Sequence, residues 1–408
     1  MSNPRVFAVD LGTTKTVAIS AVLNDQGHVK VESVASFPCT GMVKGQVRDK
    51  DAVAVSIDRA LGRVEAEVKE RAENVVVAVG GKGVTSQRKQ AFVPIVPAGR
   101  VVRRQDVHQV LGHSRQVRIA ENCELLLAAP AEYRIDGNRV HGQPVGHNAS
   151  RLEVTTNLVM AERQDILAIK EVIAAGGRHA ETIVPEALAA GLGVVNTEAS
   201  EATAIVVDIG GSVTNVAVFE GGNVCHLGTA PVGAWHVTND VAQLLRIEFA
   251  EAERLKTSHG CAVAASIGPD DVVQVVQSDG ASRPMQRRVL AEIVESRMKE
   301  IASLALAIVA DAELESWPRT GIVLCGGGSL LPGTEELFSR ATDGRKARTA
   351  HPRVAGGHTR DLGVPQMATV VGLAKHALAG HDEEFVPVSA QTGWQDTVRS
   401  LKSLFGAR

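Results

Sequence analysis

Val6-Phe-Ala-Val-Asp10-Leu-Gly12-Thr-Thr-Lys-Thr-Val-Ala-Ile-Ser20 and Ala204-Ile-Val-Val-Asp208-Ile-Gly210-Gly-Ser-Val-Thr-Asn-Val-Ala-Val218 align without a gap, 198 residues apart from Asp10 to Asp208. Each copy reads as an apolar strand, an Asp-x-Gly turn carrying hydroxyl residues, and a second β-branched strand. A polar turn follows in both (Asn24 to Gly27; Glu220 to Asn223), and then a third strand (Val29 to Ala35; Val224 to Leu227). One such turn is ordinary hairpin chemistry. Two matching three-stranded meanders predict an internal duplication.

Beyond each meander the period changes. Asp51 to Arg71 carries Val53, Ile57, Leu61, Val64 and Val68 at helical spacing. Gln164 to Ala175 reads as a helix closed by two glycines, and Thr238 to Ser258 and Arg287 to Ala312 read as long helical stretches. Buried strands are expected at Val75 to Val79, Leu152 to Val159 and Ile322 to Cys325. Strands alternating with helices give an α/β protein. With 408 residues, it is long enough for two lobes with separate cores.

Composition narrows the chemistry. A net charge of −3 gives no reason to expect nucleic acid as partner. Cys39, Cys123, Cys225, Cys261 and Cys325 are scattered and form no C-x-x-C pair, which argues against a disulfide framework or zinc site. The opening Arg5 to Asp10 reads as a strand, so no signal peptide is expected, and no apolar run approaches a membrane span.

The two turns suit phosphate and metal. Glycine at 12 and at 210–211 lets backbone N–H groups approach phosphate oxygens. Thr13, Thr14 and Ser212 offer hydroxyl donors, and Lys15 a balancing charge. Asp10 and Asp208, facing one another, suit a hydrated Mg²⁺. A third junction, Gly321 to Gly333, runs from a strand into Gly326-Gly327-Gly328 and then the start of a helix, which admits a flat ring or a phosphate. It is neither a Walker A loop nor a Rossmann fingerprint.

In this order the three sites resemble the phosphate-1, phosphate-2 and adenosine motifs of the superfamily that joins actin, the heat-shock chaperones and sugar kinases. Within it the chain resembles the FtsA family of bacterial cell-division proteins. The similarity is carried by Gly41 to Gly45, Ala131 to Gly137, Pro144 to Gly146 with Arg151 to Glu153, Ala250 to Cys261, and Met285 to Arg297. It implies an actin-like, ribonuclease-H-like fold in two lobes with a family-specific insertion. Subdomain 1A would comprise residues 1–81 with returns at 164–190 and 355–378, and the 1C insertion residues 82–163. Subdomain 2A would comprise 191–238 and 305–354, and subdomain 2B 239–304.

The same resemblance implies ATP and Mg²⁺ as cofactors. Asp10 and Asp208 would lie on the metal side. Gly12, Thr13, Thr14 and Lys15 would form the first phosphate loop, and Gly210, Gly211 and Ser212 the second. Glu253 and Lys256 would reach the adenosine, with Gly326 to Gly328 beside it, although by spacing alone they read as a solvated helix pair. Glu186 would position the attacking water, although alone it reads as a glutamate at a helix N-terminus. The second loop departs from the family's D-x-G-G-G-T-x-D, with Val213 for the threonine and Asn215 for the second aspartate. Slow or absent turnover is therefore expected.

Residues 379–393 read as a flexible linker. Trp394, Val398, Leu401, Leu404 and Phe405 then form one helical stripe with Arg399 and Lys402 off it. That pattern suits an amphipathic helix on an anionic membrane, as the resemblance also implies. The implied function is an ATP-binding protein that polymerises on the cytoplasmic face of the bacterial inner membrane at the division site. There it would hold the C-terminal tail of FtsZ through subdomain 2B, around Arg287 to Arg297, and meet other division proteins through 1C. The rival readings are a sugar or acyl-phosphate kinase of the superfamily and a pilus-assembly-type scaffold.

Overall fold

The computed structural model describes residues 4–140, 142–195, 204–220, 223–314, 317–318, 321–355 and 359–379. Residues 380–393 of the expected linker and the apolar stripe from Trp394 to Phe405 lie outside the described residues.

The chain opens with the antiparallel meander β1 (Val6–Leu11), β2 (Lys15–Leu23) and β3 (Val29–Pro38). Helix α1 (Lys50–Val68) follows because Asp49 caps it, accepting from Ala52 N–H at 3.0 Å, and because Val53, Ile57, Leu61 and Val64 fall on one buried face. It ends where Lys69 turns left-handed. Strand β4 (Asn74–Val79) then lies parallel to β1.

An inserted unit comes next: β5 (Thr85–Pro94), α2 (Arg104–Arg115), β6 (Cys123–Ile135), β7 (Asn138–Val140) and β8 (Arg151–Glu162). Its sheet is antiparallel, in the order β7-β6-β8-β5. Val107, Val110 and Leu111 of α2 pack on Val93, Tyr133, Leu152 and Val154 of that sheet, giving the insertion its own core.

Helix α3 (Arg163–Ala175) and β9 (His179–Pro185) return to the first sheet, whose order is β9-β4-β1-β2-β3. Helix α4 (Glu186–Val194) then leads into the second lobe. There the meander recurs as β10 (Ala204–Ile209), β11 (Thr214–Glu220) and β12 (Asn223–Ala230). Next come α5 (Ala234–Leu245), α6 (Phe249–His259), the hairpin β13 (Val272–Val276) and β14 (Ser282–Gln286), and α7 (Arg287–Ala310). Strands β15 (Ile322–Cys325) and β16 (Ala347–Thr349) flank α8 (Thr334–Ala341), and α9 (Ala368–Leu378) completes the described chain.

The second sheet runs β12-β11-β10-β15-β16. Both sheets are thus an antiparallel meander with two parallel strands added beside its first strand. The duplication extends to single bonds. Asp10 lies opposite Val17 and Asp208 opposite Asn215. Gly12 N–H donates to Lys15 O at 3.0 Å, and Gly210 N–H to Val213 O at 3.0 Å.

One expectation changes. The stretch read as one helix from Thr238 to Ser258 is two helices, because Arg246 turns left-handed and lets α6 fold back along α5. Helix α7 is continuous to Ala310, so the expected subdomain limit at residue 304 falls inside it.

Helices α4 and α9 cross between the two sheets, in a core that takes Val17 and Ile19 from one lobe and Val206, Phe219 and Val323 from the other. The crossing is closed by glycines: a Cβ on Gly372 would sit 1.7 Å from Ala189 O, and one on Gly193 2.0 Å from Ala368 O. Lys375 of α9 donates to Leu192 O at 3.0 Å and Gly193 O at 3.1 Å, capping the last carbonyls of α4. Burial lowers its pKa to about 8.

Gly372→Ala is expected to cost roughly 3 kcal/mol or more, because the helices must separate to admit the methyl group. Gly62→Ala, in α1 with nothing within 4 Å of the added carbon, is expected to stabilise by about 0.5–1 kcal/mol. Urea denaturation of the two variants checks the contrast.

Candidate functional site

The repeated turns place two aspartates at the ends of two apolar strands, one per lobe. Asp10 lies in the last turn-ward positions of β1, and Asp208, 6% exposed, in the same place on β10. Glu186, the first residue of α4, shares their field. Burial raises the Asp10 pKa to about 7, with Asp208 adding repulsion and Lys15 opposing it. Asp208 rises to about 6, again by burial, held back by hydrogen bonds from Asn215 and Cys325. Glu186 is pushed well above its ordinary value by burial, then by Asp10 and Asp208. Lys15 is itself lowered by burial.

Small residues let these carboxylates stand where they do. A Cβ on Gly80, just after β4, would lie 1.8 Å from Glu186 Oε2. One on Gly326, just after β15, would lie 2.3 Å from Asp208 Oδ1. Each lobe therefore uses the glycine after its first added parallel strand to make room for a carboxylate.

The loops meet across the lobes. Thr13 Oγ1 and Ser212 Oγ are hydrogen-bonded at 2.6 Å, and Lys44 N–H donates to Ser212 Oγ at 2.9 Å. On the second lobe, Ala234 and Trp235 N–H groups, at the start of α5, donate to Gly210 O at 2.9 Å and Gly211 O at 2.7 Å. Asn215, 1% exposed, donates through Nδ2 to Asp208 Oδ2 at 3.4 Å and accepts at Oδ1 from Thr229 at 2.8 Å. Its amide also opposes the rise in the Glu186 pKa.

Glu253 and Lys256 are not a solvated pair. Lys256 is buried and donates to Ala234 O at 3.2 Å, Thr238 Oγ1 at 2.8 Å and Glu253 Oε2 at 2.7 Å. Its three donors are thus committed to joining α5 to α6, and Glu253 is the member with an exposed carboxylate. The Gly326 cluster leads into a single 3-10 turn, Gly327–Leu330, before α8 begins at Thr334. Gly326 N–H donates to Pro365 O at 3.1 Å.

Three groups at this site were missed as site residues: Cys325, which lies opposite Asp208 in the strand pairing and helps hold its pKa down, and in addition Gln366 and Gly80. Gln366 packs against Gly327, and its Oε1 is buried without a hydrogen-bond partner among the described residues. Gly80-Gly81 after a buried strand is the first-lobe counterpart of the Gly326 cluster, a signal the sequence did contain.

The residues fit a phosphate chain accompanied by a divalent cation. Three carboxylates crowd a site with one lysine, and the raised pKa values register the uncompensated charge. Among the described residues no group of three or more His, Cys, Asp or Glu converges as direct metal ligands. A magnesium ion that keeps its waters needs only one or two carboxylates.

A carboxylate whose pKa is raised by folding favours the fold fully below its ordinary pKa, and that contribution is lost as pH rises through the raised value. For Asp10 and Asp208 the loss runs from about 4 up to about 7. Magnesium binding offsets the repulsion only when the groups are ionised. Added Mg²⁺ is expected to raise the melting midpoint more at about pH 8 than at about pH 5, as checked by calorimetry in the two buffers.

The inserted unit, residues 81–160, matches the family model "SHS2 domain inserted in FTSA", and residues 205–372 match "Cell division protein FtsA". The chain is 28% identical over 384 residues to the Escherichia coli K12 cell division protein FtsA, covering 92% of this chain and 91% of that one. It is 29% identical to the Pseudomonas aeruginosa protein, at 92% and 90% coverage, and 26% identical to the Bacillus subtilis protein, at 92% and 84%. Among solved structures, a PilM–PilN type IV pilus biogenesis complex superposes with a TM-score of 0.64 at 17% identity, over 92% of this chain and 99% of that one. MreB5 of Spiroplasma citri bound to ADP gives 0.54 at 15% identity, over 92% and 99%. These likenesses establish the actin-like fold, and the two family models together with relatives spanning nearly the whole chain place it in the FtsA family of bacterial cell-division proteins.

Proposed function

We propose that this chain binds ATP with Mg²⁺ between its lobes and, on the cytoplasmic membrane, self-associates and anchors the FtsZ ring. The observation that carries the nucleotide reading is the pair of Asp-x-Gly turns, identical in register and facing one another with Glu186 beside them. The MreB5 relatives bound to ADP and AMPPNP share the fold.

In this reading Gly12 to Lys15 and Gly210 to Ser212 hold the phosphates, and Asp10 and Asp208 hold the hydrated cation. Glu253 and the Gly326 to Gly328 junction flank the adenosine. The cation would neutralise phosphate charge. Glu186 would orient the water, and burial with two neighbouring carboxylates shifts it toward the protonated form, a poorer base. Val213 supplies no hydroxyl to the second loop, and Asn215 no carboxylate. Hydrolysis is therefore slow or absent, while binding is retained.

For the FtsZ tail we propose the exposed side of α7 within the expected 2B region. There Leu290, Ala291 and Val294 are buried and Arg297 is tied to Asp240 at 2.6 Å, which leaves Arg288, Val289 and Glu292 facing outward. No helix among the described residues is long and apolar enough to cross a membrane. Membrane attachment is assigned to residues 394–408. Five apolar side chains, only partly inserted, hold one copy weakly, whereas many copies on a polymer hold together.

Co-sedimentation with anionic phospholipid vesicles tests this. The full chain with ATP is expected to pellet with the vesicles and to bring FtsZ with it, while a chain ending at Gly393 leaves both in solution. A truncated chain that still pellets removes the tail as anchor, and vesicle-bound full chain that leaves FtsZ behind removes the tethering role.

A further inference from the structure

A short hairpin of the first lobe touches three parts of the molecule that lie far apart in the chain. In it Met42 pairs with Val47 and Val43 with Gln46. Its turn is tight because Lys44 and Gly45 are both left-handed, at φ 51° and 77°. Its base is closed by the Arg48 and Asp49 N–H groups, which donate to Gly41 O at 2.8 and 3.1 Å beside the cap of α1. The element is therefore held as one piece.

The tip rests on the second lobe. Lys44 N–H donates to Ser212 Oγ at 2.9 Å, and that oxygen is also hydrogen-bonded to Thr13 Oγ1 at 2.6 Å. The flank rests on the segment that leaves β4 for the insertion. A Cβ on Gly45 would sit 2.5 Å from Gly81 N, and one on Gly81 2.5 Å from Lys44 O, so the two backbones are in direct contact. The adjoining Gly80 is the residue that makes room for Glu186.

Gln46 reaches the segment that returns from the insertion. Its Nε2 donates to both oxygens of Asp165, in the first turn of α3, at 3.1 Å each. Arg48 fixes this orientation by donating to Gln46 Oε1 at 2.7 Å, which turns the NH₂ group toward the carboxylate. Both Gln46 and Asp165 are buried. Asp165 closes in turn on the outgoing segment: a Cβ on Gly83 would lie 2.6 Å from Asp165 Oδ2, and Glu162 N–H donates to Gly83 O at 3.1 Å. Both covalent connections of the insertion are thus packed on one hairpin, whose tip is bonded to the second phosphate loop. Ser212 has a single hydroxyl proton to donate. A phosphate group taken up between the two turns redraws the bonds at the oxygen that holds Lys44.

We propose that the hairpin from Met42 to Val47 couples the phosphate loops to the seating of the insertion, with Gln46 as the positioning residue that carries the coupling to Asp165. This deepens the nucleotide reading above and rests on it. The surface that the insertion offers to other molecules then depends on what the phosphate loops hold.

Amide hydrogen exchange in the full-length protein tests the coupling. It is read at Val84 and Glu162, whose N–H groups donate to Gly81 O and Gly83 O at the two connections. Calorimetric titration of the same samples records whether ATP with Mg²⁺ binds. In the native chain, saturating ATP with Mg²⁺ is expected to slow both amides by about fivefold, the lower end of coupling between distinct sites. In Gln46→Ala the slowing should fall below about twofold while ATP still binds. Asp165→Asn, which keeps an oxygen for Gln46 to donate to, should retain the response. Amides of Val53 to Val64 in α1 check folding and should respond to ATP alike in native and variant chains. Asp165→Ala carries the test if Gln46→Ala does not fold. ATP that binds the native chain without slowing Val84 and Glu162, or an equal response in native and Gln46→Ala, overturns the coupling and leaves the nucleotide reading standing. A native chain that gives no heat with ATP removes the nucleotide reading and the coupling with it.

Discussion

No side chain fits where α4 and α9 cross, and the arrangement of both lobes depends on that. Carbonyl oxygens of Ala189 and Ala368 occupy the space a methyl group would need on Gly372 and Gly193. The close crossing draws both sheets onto one shared core. It also fixes where α4 begins, and so where Glu186 stands. Because α4 leaves the first sheet and enters the second, the placement of Glu186 is a consequence of how the lobes are joined rather than of either lobe alone.

The chemistry of the cleft follows from which electrostatic effect prevails. Glu186 heads a helix, and a helix N-terminus favours an anion by about 0.3–1 kcal/mol, less than one pKa unit. Burial, with Asp10 and Asp208 nearby, acts in the opposite direction and dominates. At the two aspartates burial is again the largest influence, and at Asp10 the opposing effect of Lys15 is the smallest of the three. A cleft with this excess of negative charge is poised to take up a cation with its anion. Asn215 moderates the excess: an amide where a carboxylate would be a fourth negative group donates hydrogen bonds instead.

The fold was legible in the sequence because duplication leaves a pattern that survives change in individual residues. Asp10 and Asp208, their glycines and the flanking β-branched strands could be aligned by eye, and the structure repeats them in register down to the Gly12 and Gly210 turn bonds. Local signals also served: Asp49 and the spacing of Val53, Ile57 and Leu61 define α1. What was illegible depends on distance in the chain. The break at Arg246 has no glycine or proline to mark it. The acceptors that commit the Lys256 ammonium, Ala234 O and Thr238 Oγ1, lie on a different helix. Cys325 and Gln366 reach the site through strand pairing and chain return, which spacing cannot reveal. Asn215 was visible only as a departure, and its two-sided bonding needed coordinates.

The central claim is that the duplicated turns form one nucleotide site. Isothermal titration of ATP into the full chain, with and without Mg²⁺, and into Asp208→Asn tests it most directly. The account predicts binding that strengthens with Mg²⁺ in the native chain and loses that Mg²⁺ dependence in the variant. ATP heats that are the same in both proteins, or absent from both, would contradict it.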